Sequence, residues 1–291
     1  MSVTQHMIGN VLVVTLDRPA ARNAFDRDTI AALTGVFTGL GQLAPIPCGP
    51  DATASLADAA DTPGDAARPH AVLLRSEGPV FCAGGDLEDM QRLGAADFET
   101  NLEAARQMGA MFRAIRLCPV PVVARVQGPA HGGGVGLCCC CDIVVAGADA
   151  RFTFSEVRLG LVAGVIAPLV IARIGQAAAR HYFLTGDPIR AVDAFRIGLV
   201  DRLAGQEGLD AAVAQTMQSL LKGGAAALGR IKRLIEGTVA LGFEASLDFT
   251  ARMIAEARTS AEAQAALQAF FSKESAPWAR DTDWPPTGEK P

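Results

Sequence analysis

The stretch HGGGVGLCCCCDIVV, His131 to Val145, sets three consecutive glycines beside four consecutive cysteines. It can be read as a metal cluster, a redox centre, or a glycine turn feeding a helix. Metal ligands must converge on one point, and cysteine pairs that bind zinc are separated by about two to four residues. Adjacent side chains diverge by about 100° on a helix and alternate faces on a strand. Cys138 to Cys141 therefore radiate, whichever element they occupy. Cys48, Cys82 and Cys118 add no CxxC spacing, and the chain holds only four histidines. A free thiol behaves as a small buried hydrophobe. The cysteines are expected to fill a tight packing interface without a metal, which leaves the glycines to be explained.

Working outward, the glycine turn lies between two apolar runs that read as strands, Val120 to Val126 (VPVVARV) and Ile143 to Ala146. Upstream, Val11 to Leu16 is a β-branched run stopped by Asp17-Arg18-Pro19, and Ala71 to Arg75 leads into FCAGGDL, residues 81–87. Asn23 to Leu40 carries Ile30, Leu33, Val36, Phe37 and Leu40 on one helical stripe, and Ala95 to Ile115 is mostly helical. Strand, glycine turn and helix alternate, which predicts an α/β fold layered around largely buried sheets. After Leu169 the pattern is almost entirely helical. The helices are expected over Gln176 to Thr185, Ala191 to Phe195, Leu209 to Leu221, Ala225 to Glu236, Phe243 to Ala257 and Ala261 to Phe271. The chain thus divides into an α/β core, 1–200, and a C-terminal helical region, 201–291. Residues 41–69 are rich in Ala, Asp, Pro and Gly and nearly devoid of large apolar residues, so they read as a flexible insertion within the core.

The chain's 291 residues are half hydrophobic and a fifth charged, as expected of a soluble globular protein. A net charge of -5 gives no basic footprint for nucleic acid or an anionic membrane. A local basic groove for a phosphorylated small molecule stays open. Seven cysteines without a spaced framework point to a reducing compartment. The N-terminus has neither the charge and apolar run of a signal peptide nor the arginine-rich look of a transit peptide. The most apolar segment, Leu159 to Ile171, is too short to span a bilayer and contains Gly164 and Pro168. The expected location is cytoplasmic.

Two glycine turns follow two strands, FCAGGDL and GPAHGGG. Glycine permits close backbone approaches that a Cβ would block, and a helix starting after it presents unpaired N–H groups. Two such turns can aim one N–H each at a single oxygen, forming an oxyanion hole. The competing reading of GGG is tight helix–strand packing. Neither turn fits GxxxxGK[ST], which disfavours a nucleoside-triphosphate loop. HGGG is similar to a lipase oxyanion motif, but the GxSxG nucleophile elbow that should accompany it does not occur.

Several segments in order resemble the enoyl-CoA hydratase/isomerase, or crotonase, family. They are DRPAARNAF (17–25), FCAGGDLEDM (81–90), VQGPAHGGGVGL (126–137), CDIVVAGADARFTFSEVRLGL (141–161) and FFSKESAPW (270–278). The resemblance implies a ββα-spiral core that binds and transforms acyl-CoA, followed by a C-terminal helical region used in trimerisation. It implies a homotrimer or a dimer of trimers, an acyl-CoA thioester as substrate, and no cofactor beyond the coenzyme A that the substrate carries. By position it makes the N–H groups of Gly85 and Gly133 the oxyanion hole. It also places Arg22, Ala24, Ala83, Gly84, Asp86 and Leu87 along the coenzyme A pocket, with Gly128, His131, Gly132, Gly136, Ser155 and Leu159 as further substrate-binding positions. Arg22 is either a phosphate contact or a solvated arginine, and Lys273 has the same two readings. His131 either transfers a proton or lines the pocket.

The resemblance also implies two acid–base positions, and here the sequence departs from it. Where two-carboxylate hydratases carry a glutamate three residues after the hole glycine, this chain has Gly136; only the second position, Glu156, is acidic. A buried Glu156 would have its pKa raised toward neutrality, suiting acid–base work; the competing reading is a surface or capping carboxylate. The implied activity is reversible syn hydration of a 2-enoyl-CoA to a 3-hydroxyacyl-CoA. GGGVGL with SEVRLGLV resembles the branch acting on 3-methylglutaconyl-CoA and related branched substrates. The alternatives are a Δ3,Δ2-enoyl-CoA isomerase with Glu156 as its single base, and a non-catalytic acyl-CoA or RNA-binding member.

Overall fold

Two hydrophobic layers share one sheet, and the strand sequences show why. The first strands, β1 (Val3–Ile8) and β2 (Val11–Leu16), form an antiparallel hairpin with Ile8 opposite Val11. Next to β2 lie β3 (Ala71–Ser76), β4 (Val122–Val126), β6 (Ile143–Gly147) and β9 (Arg202–Ala204), all parallel, in the order β1-β2-β3-β4-β6-β9. Along β2, Leu12, Val14 and Leu16 enter one core while Val11 and Val13 enter the other. Every residue of β2 is buried, as expected for a strand covered on both faces. A second, three-stranded sheet joins β5 (Ala130–His131), β7 (Arg151–Thr153) and β8 (Ile189–Arg190). The α/β class expected from the sequence is borne out. This computed structural model describes residues 2–43, 68–205, 208–280, 282–286, 288–289 and 291. Most of the expected 41–69 insertion, residues 44–67 with Cys48, lies outside the described residues.

The larger core packs α1 (Arg27–Gly39), α3 (Phe98–Arg116), α4 (Gly133–Cys140) and α5 (Ala167–Thr185) against one face of the sheet through Leu33, Phe37, Met111, Phe112, Ile115, Val135 and Val170. Leu33 and Phe37 come from the helical stripe read in the sequence. The smaller core places α7 (Leu209–Leu221) and Trp284 on the opposite face. Short helices α2 (Leu87–Gly94) and α6 (Ala191–Arg196), and the C-terminal α8 (Ala225–Leu241), α9 (Phe243–Thr259) and α10 (Ala261–Phe271), complete the chain. Beyond residue 200, β9 extends the sheet and α7 packs on it, while α8 and α9 pack on each other around Phe249 and Met253. Among the described residues no helix is long and apolar enough to cross a membrane.

Several boundaries differ from the sequence expectation. The first helix begins at Arg27, not Asn23, because Arg22 and Asn23 take φ of 52° and 54°. The Asn23 side chain accepts from Arg18 N (2.9 Å) and donates to the carbonyls of Glu77 and Val80 (2.8 Å each), tying a turn together. The Ala95 to Ile115 run starts as a turn after α2; Asp97 caps α3 through Thr100 N at 2.8 Å. The helix expected from Gln176 begins at Ala167 and is broken at Gly175, where φ is 75° and ψ 163°.

The four cysteines occupy the end of α4 and the residue after it, all buried. The thiols of Cys140 and Cys141 each donate to the Leu137 carbonyl at 3.2 Å. Burial pushes the Cys139 thiol up to about 12, so it stays a neutral packing group. No group of three or more His, Cys, Asp or Glu residues among the described residues is arranged to hold a metal ion.

Candidate active site

Four chain segments are stitched side by side through backbone hydrogen bonds. Phe25 N donates to Gly84 O (2.7 Å) and Asp86 N donates to Phe25 O (2.9 Å), fixing the FCAGGDL turn against the segment before α1. His131 N donates to Cys82 O (2.9 Å), joining the two glycine turns, and Gly132 N donates to Thr153 O (2.9 Å), joining the second turn to β7. Only glycine fits where these turns meet. Gly84 has a φ of 85°, and a Cβ there would fall 2.7 Å from His131 O and 3.3 Å from Gly133 N. Gly132 has a φ of 47°, and its Cβ would fall 2.8 Å from Glu156 Oε1. The amides of Gly85 and Gly133 have no acceptor among the described residues. Gly133 also opens α4, so its N–H belongs to the first turn, which has no intrahelical partner.

Glu156 arrives from the other side. Phe154, buried edge-on against Phe183 (centroids 4.8 Å apart), anchors the end of β7, and Glu156 then opens a short 3-10 turn to Leu159. Its Oε2 is buried with no hydrogen-bond partner. Burial raises the carboxyl above its ordinary value, because the charged form loses hydration that a hydrogen bond from its own backbone only partly offsets.

The turns and Glu156 border one cavity of about 280 Å³. Of the positions singled out in the sequence, Ala83, Gly84, Gly85, Leu87, Gly132, Gly133, Ser155, Glu156 and Leu159 line it. Six do not. Arg22 is exposed, and its carbonyl accepts from Ala83 N at 3.0 Å. Ala24 is buried. Asp86 caps α2 through Glu88 N (3.0 Å) and pairs with Arg18 at 3.3 Å. Gly128 packs where a Cβ would fall 1.9 Å from Pro79 O. His131 is half-buried beside the turn, and burial, then the Arg22 charge, hold its pKa below the ordinary value. Gly136 sits behind the wall, where a Cβ would fall 2.3 Å from Ile166 Cγ2 and 3.1 Å from Phe112 Cζ. A glutamate at 136 would have to displace Ile166. Lys273 is exposed just after α10 with a φ of 58°.

Sequence reasoning missed most of the apolar wall: Met90 on α2, Met108 on α3, and Leu161, Val162, Val165 and Ile166 before α5. Leu87 and Met90, three apart, do mark one face of α2. The Leu161–Ile166 segment carries no helical or strand period that would have pointed inward. Two free amides, one carboxylate and apolar walls can hold a carbonyl oxygen and move a proton near it. Such a site suits chemistry that passes through an enolate.

Comparison with known proteins agrees with that class of site. Residues 51–281 match the enoyl-CoA hydratase/isomerase family, and the chain belongs to it. The structure of an enoyl-CoA hydratase from Shewanella pealeana superposes with a TM-score of 0.83 at 31% identity, covering 96% of each chain. Pseudomonas aeruginosa AtuE gives 0.84 at 30% identity, covering 96% of this chain and 100% of that one. The short-chain-enoyl-CoA hydratase of Clostridium acetobutylicum is 27% identical over 271 residues, covering 91% of this chain and 92% of its own length. The expected crotonase fold is thereby borne out.

Proposed function

We propose that this chain is an enoyl-CoA hydratase that adds water reversibly to a 2-enoyl-CoA thioester, giving a 3-hydroxyacyl-CoA. The observation that carries the reading is Glu156: a half-buried carboxylate whose Oε2 is buried without a hydrogen-bond partner, lining an apolar cavity with Gly85 and Gly133, whose amides are free among the described residues. The thioester oxygen accepts from Gly85 and Gly133, drawing charge off the double bond. Ionised Glu156 takes a proton from water as the hydroxyl adds to C3, and delivers a proton to C2 from the same face. A carboxyl raised by burial is suited to both transfers. The reading needs no cofactor, since coenzyme A arrives with the substrate. Arg22, whose carbonyl holds the cavity residue Ala83, is the coenzyme A phosphate contact in this reading.

A second reading is Δ3,Δ2-isomerisation. The contact between Gly136 and Ile166 favours it, because it leaves Glu156 as the only carboxylate among the described residues that line the cavity, and one base suffices to move a proton between C2 and C4. A non-catalytic acyl-CoA or RNA-binding role is a poorer fit to a net charge of -5 and to a carboxylate with one buried oxygen held without a partner. One spectrophotometric panel separates the readings. Hydration removes the absorbance of a conjugated enoyl thioester, isomerisation of a 3-enoyl substrate creates it, and a binding protein changes neither. Including branched and glutaconyl-type thioesters tests the proposed branched acyl class.

The same reading places the chain in a homotrimer or a dimer of trimers in the cytoplasm. Val239, Phe243, Phe270 and Phe271 on the C-terminal helices are exposed, as an assembly surface would leave them in one chain. Sedimentation analysis tests the assembly.

A further inference from the structure

The cavity has two unequal ends. Leu87, Leu159 and Val162 are 80%, 63% and 84% exposed, whereas Ile166 is 3% exposed. Ile166 is therefore the floor and the others the mouth. It sits at the N-terminal cap of α5, with Gly136 of α4 and Phe112 of α3 behind it. The hollow left by the missing side chain of Gly136 is filled by Ile166, since a Cβ there would meet its Cγ2 at 2.3 Å. Behind this contact the packing is continuous. Phe112 meets Phe25 edge-on at 6.2 Å, and a Cβ on Gly133 would touch the Phe25 ring at 3.0 Å. A close-packed wall of this kind does not yield to an extra methylene without strain.

We propose that Ile166 determines the acyl-chain length this enzyme accepts, with Gly136 as the positioning residue that fixes how far Ile166 projects into the cavity. The proposal rests on the acyl-thioester reading above but is indifferent to hydration or isomerisation. A longer chain must push Ile166 back, and the α4 backbone and Phe112 leave it nowhere to go. Removing side-chain atoms at 166 deepens the cavity. Adding one carbon at 136 drives Ile166 forward and makes the cavity shallower.

The test is kcat/KM for wild type, Ile166→Ala, Ile166→Val, Gly136→Ala and the Gly136→Ala/Ile166→Ala pair, over straight-chain 2-enoyl-CoA thioesters of increasing length. Ile166→Ala should raise the long-to-short ratio by about tenfold or more, since a single methylene in an apolar pocket is worth about that factor. Ile166→Val should move it the same way by less, and serves if the alanine variant is unstable. Gly136→Ala should move it the opposite way, and the pair should follow Ile166→Ala, because the Cγ2 that the added carbon would push is gone. An unchanged ratio in folded Ile166→Ala and Ile166→Val overturns the proposal. If wild type turns over none of the series, the catalytic reading fails separately. The length profile is then read by calorimetry with saturated acyl-CoA thioesters, where the same shifts are expected and their absence has the same force.

Discussion

Glu156 combines partial burial, an unpartnered oxygen and a raised pKa, and each has a measurable consequence. Glu156→Gln keeps the shape but removes the proton carrier, so turnover should fall by about two or more orders of magnitude with acyl-CoA binding retained. Near-normal turnover would shift attention to His131. In the wild type the acid limb of the kcat profile should lie above the ordinary glutamate range, because the ionised form is the active one. Stability carries the same signature. A raised folded-state pKa means the folded chain holds the proton more tightly than the unfolded chain. The associated stability is complete below the ordinary glutamate value and is lost as pH rises through the raised one. Glu156→Gln should therefore raise Tm near neutral pH, with the gain shrinking in acid; calorimetry across that range checks it. Glu156 was legible in the sequence because it sits in a recognisable motif. Ile166 was not, because nothing in an apolar run tells which side chain will find a glycine to lean on.

The elements that matter most are the two glycine turns and the helix they feed. Gly133→Pro removes the N–H at the first helical position, where proline is otherwise tolerated. Gly133→Ala supplies the Cβ, which presses on Phe25, without removing the donor. If the N–H stabilises the developing oxyanion, the proline variant should lose about 3 kcal/mol of transition-state stabilisation. Coenzyme A binding should be retained, and the alanine variant should lose less. Equal losses in two folded variants would assign the glycine to packing alone. Strands buried on both faces were easy to read, since β2, β3 and β4 each open on three or four consecutive apolar residues. β1 was not, because the four central residues of VTQHMI are exposed and its pairing with β2 is what makes it a strand. The start of α1 was misplaced for the converse reason: the Asn23 cross-links that hold the turn lie over fifty residues away in sequence.

At the scale of the molecule, two segments call for tests of their own: the insertion, most of which lies outside the described residues, and the tail beyond α10. The insertion can be tested by deletion. Arg68 donates to Leu40 O, so the described flanks already meet. Joining Gly41 to Arg68 directly should leave folding and kinetics nearly intact; loss of activity or of the assembly would make the segment a lid or an interface. The tail beyond α10 offered no period to read, yet Trp284 is 1% exposed in the smaller core. Its Nε1 donates to Ile8 O at 3.0 Å, and Gln218 donates to its carbonyl at 3.1 Å. Trp284→Ala should cost about 3–5 kcal/mol in urea denaturation. It should spare the chemistry of the surviving folded fraction, because the cavity wall belongs to the opposite core.

The bond between Trp284 and Ile8 spans 276 positions of the chain, and protein synthesis must cross that interval in one direction. A ribosome adding roughly 5–20 residues per second finishes Ile8, Val11 and Val13 on the order of ten seconds to a minute before it reaches the indole that covers them. Throughout that time the nascent hairpin presents an apolar face with its last partner still unmade. Chaperone capture of stalled nascent chains should therefore persist until translation passes position 284.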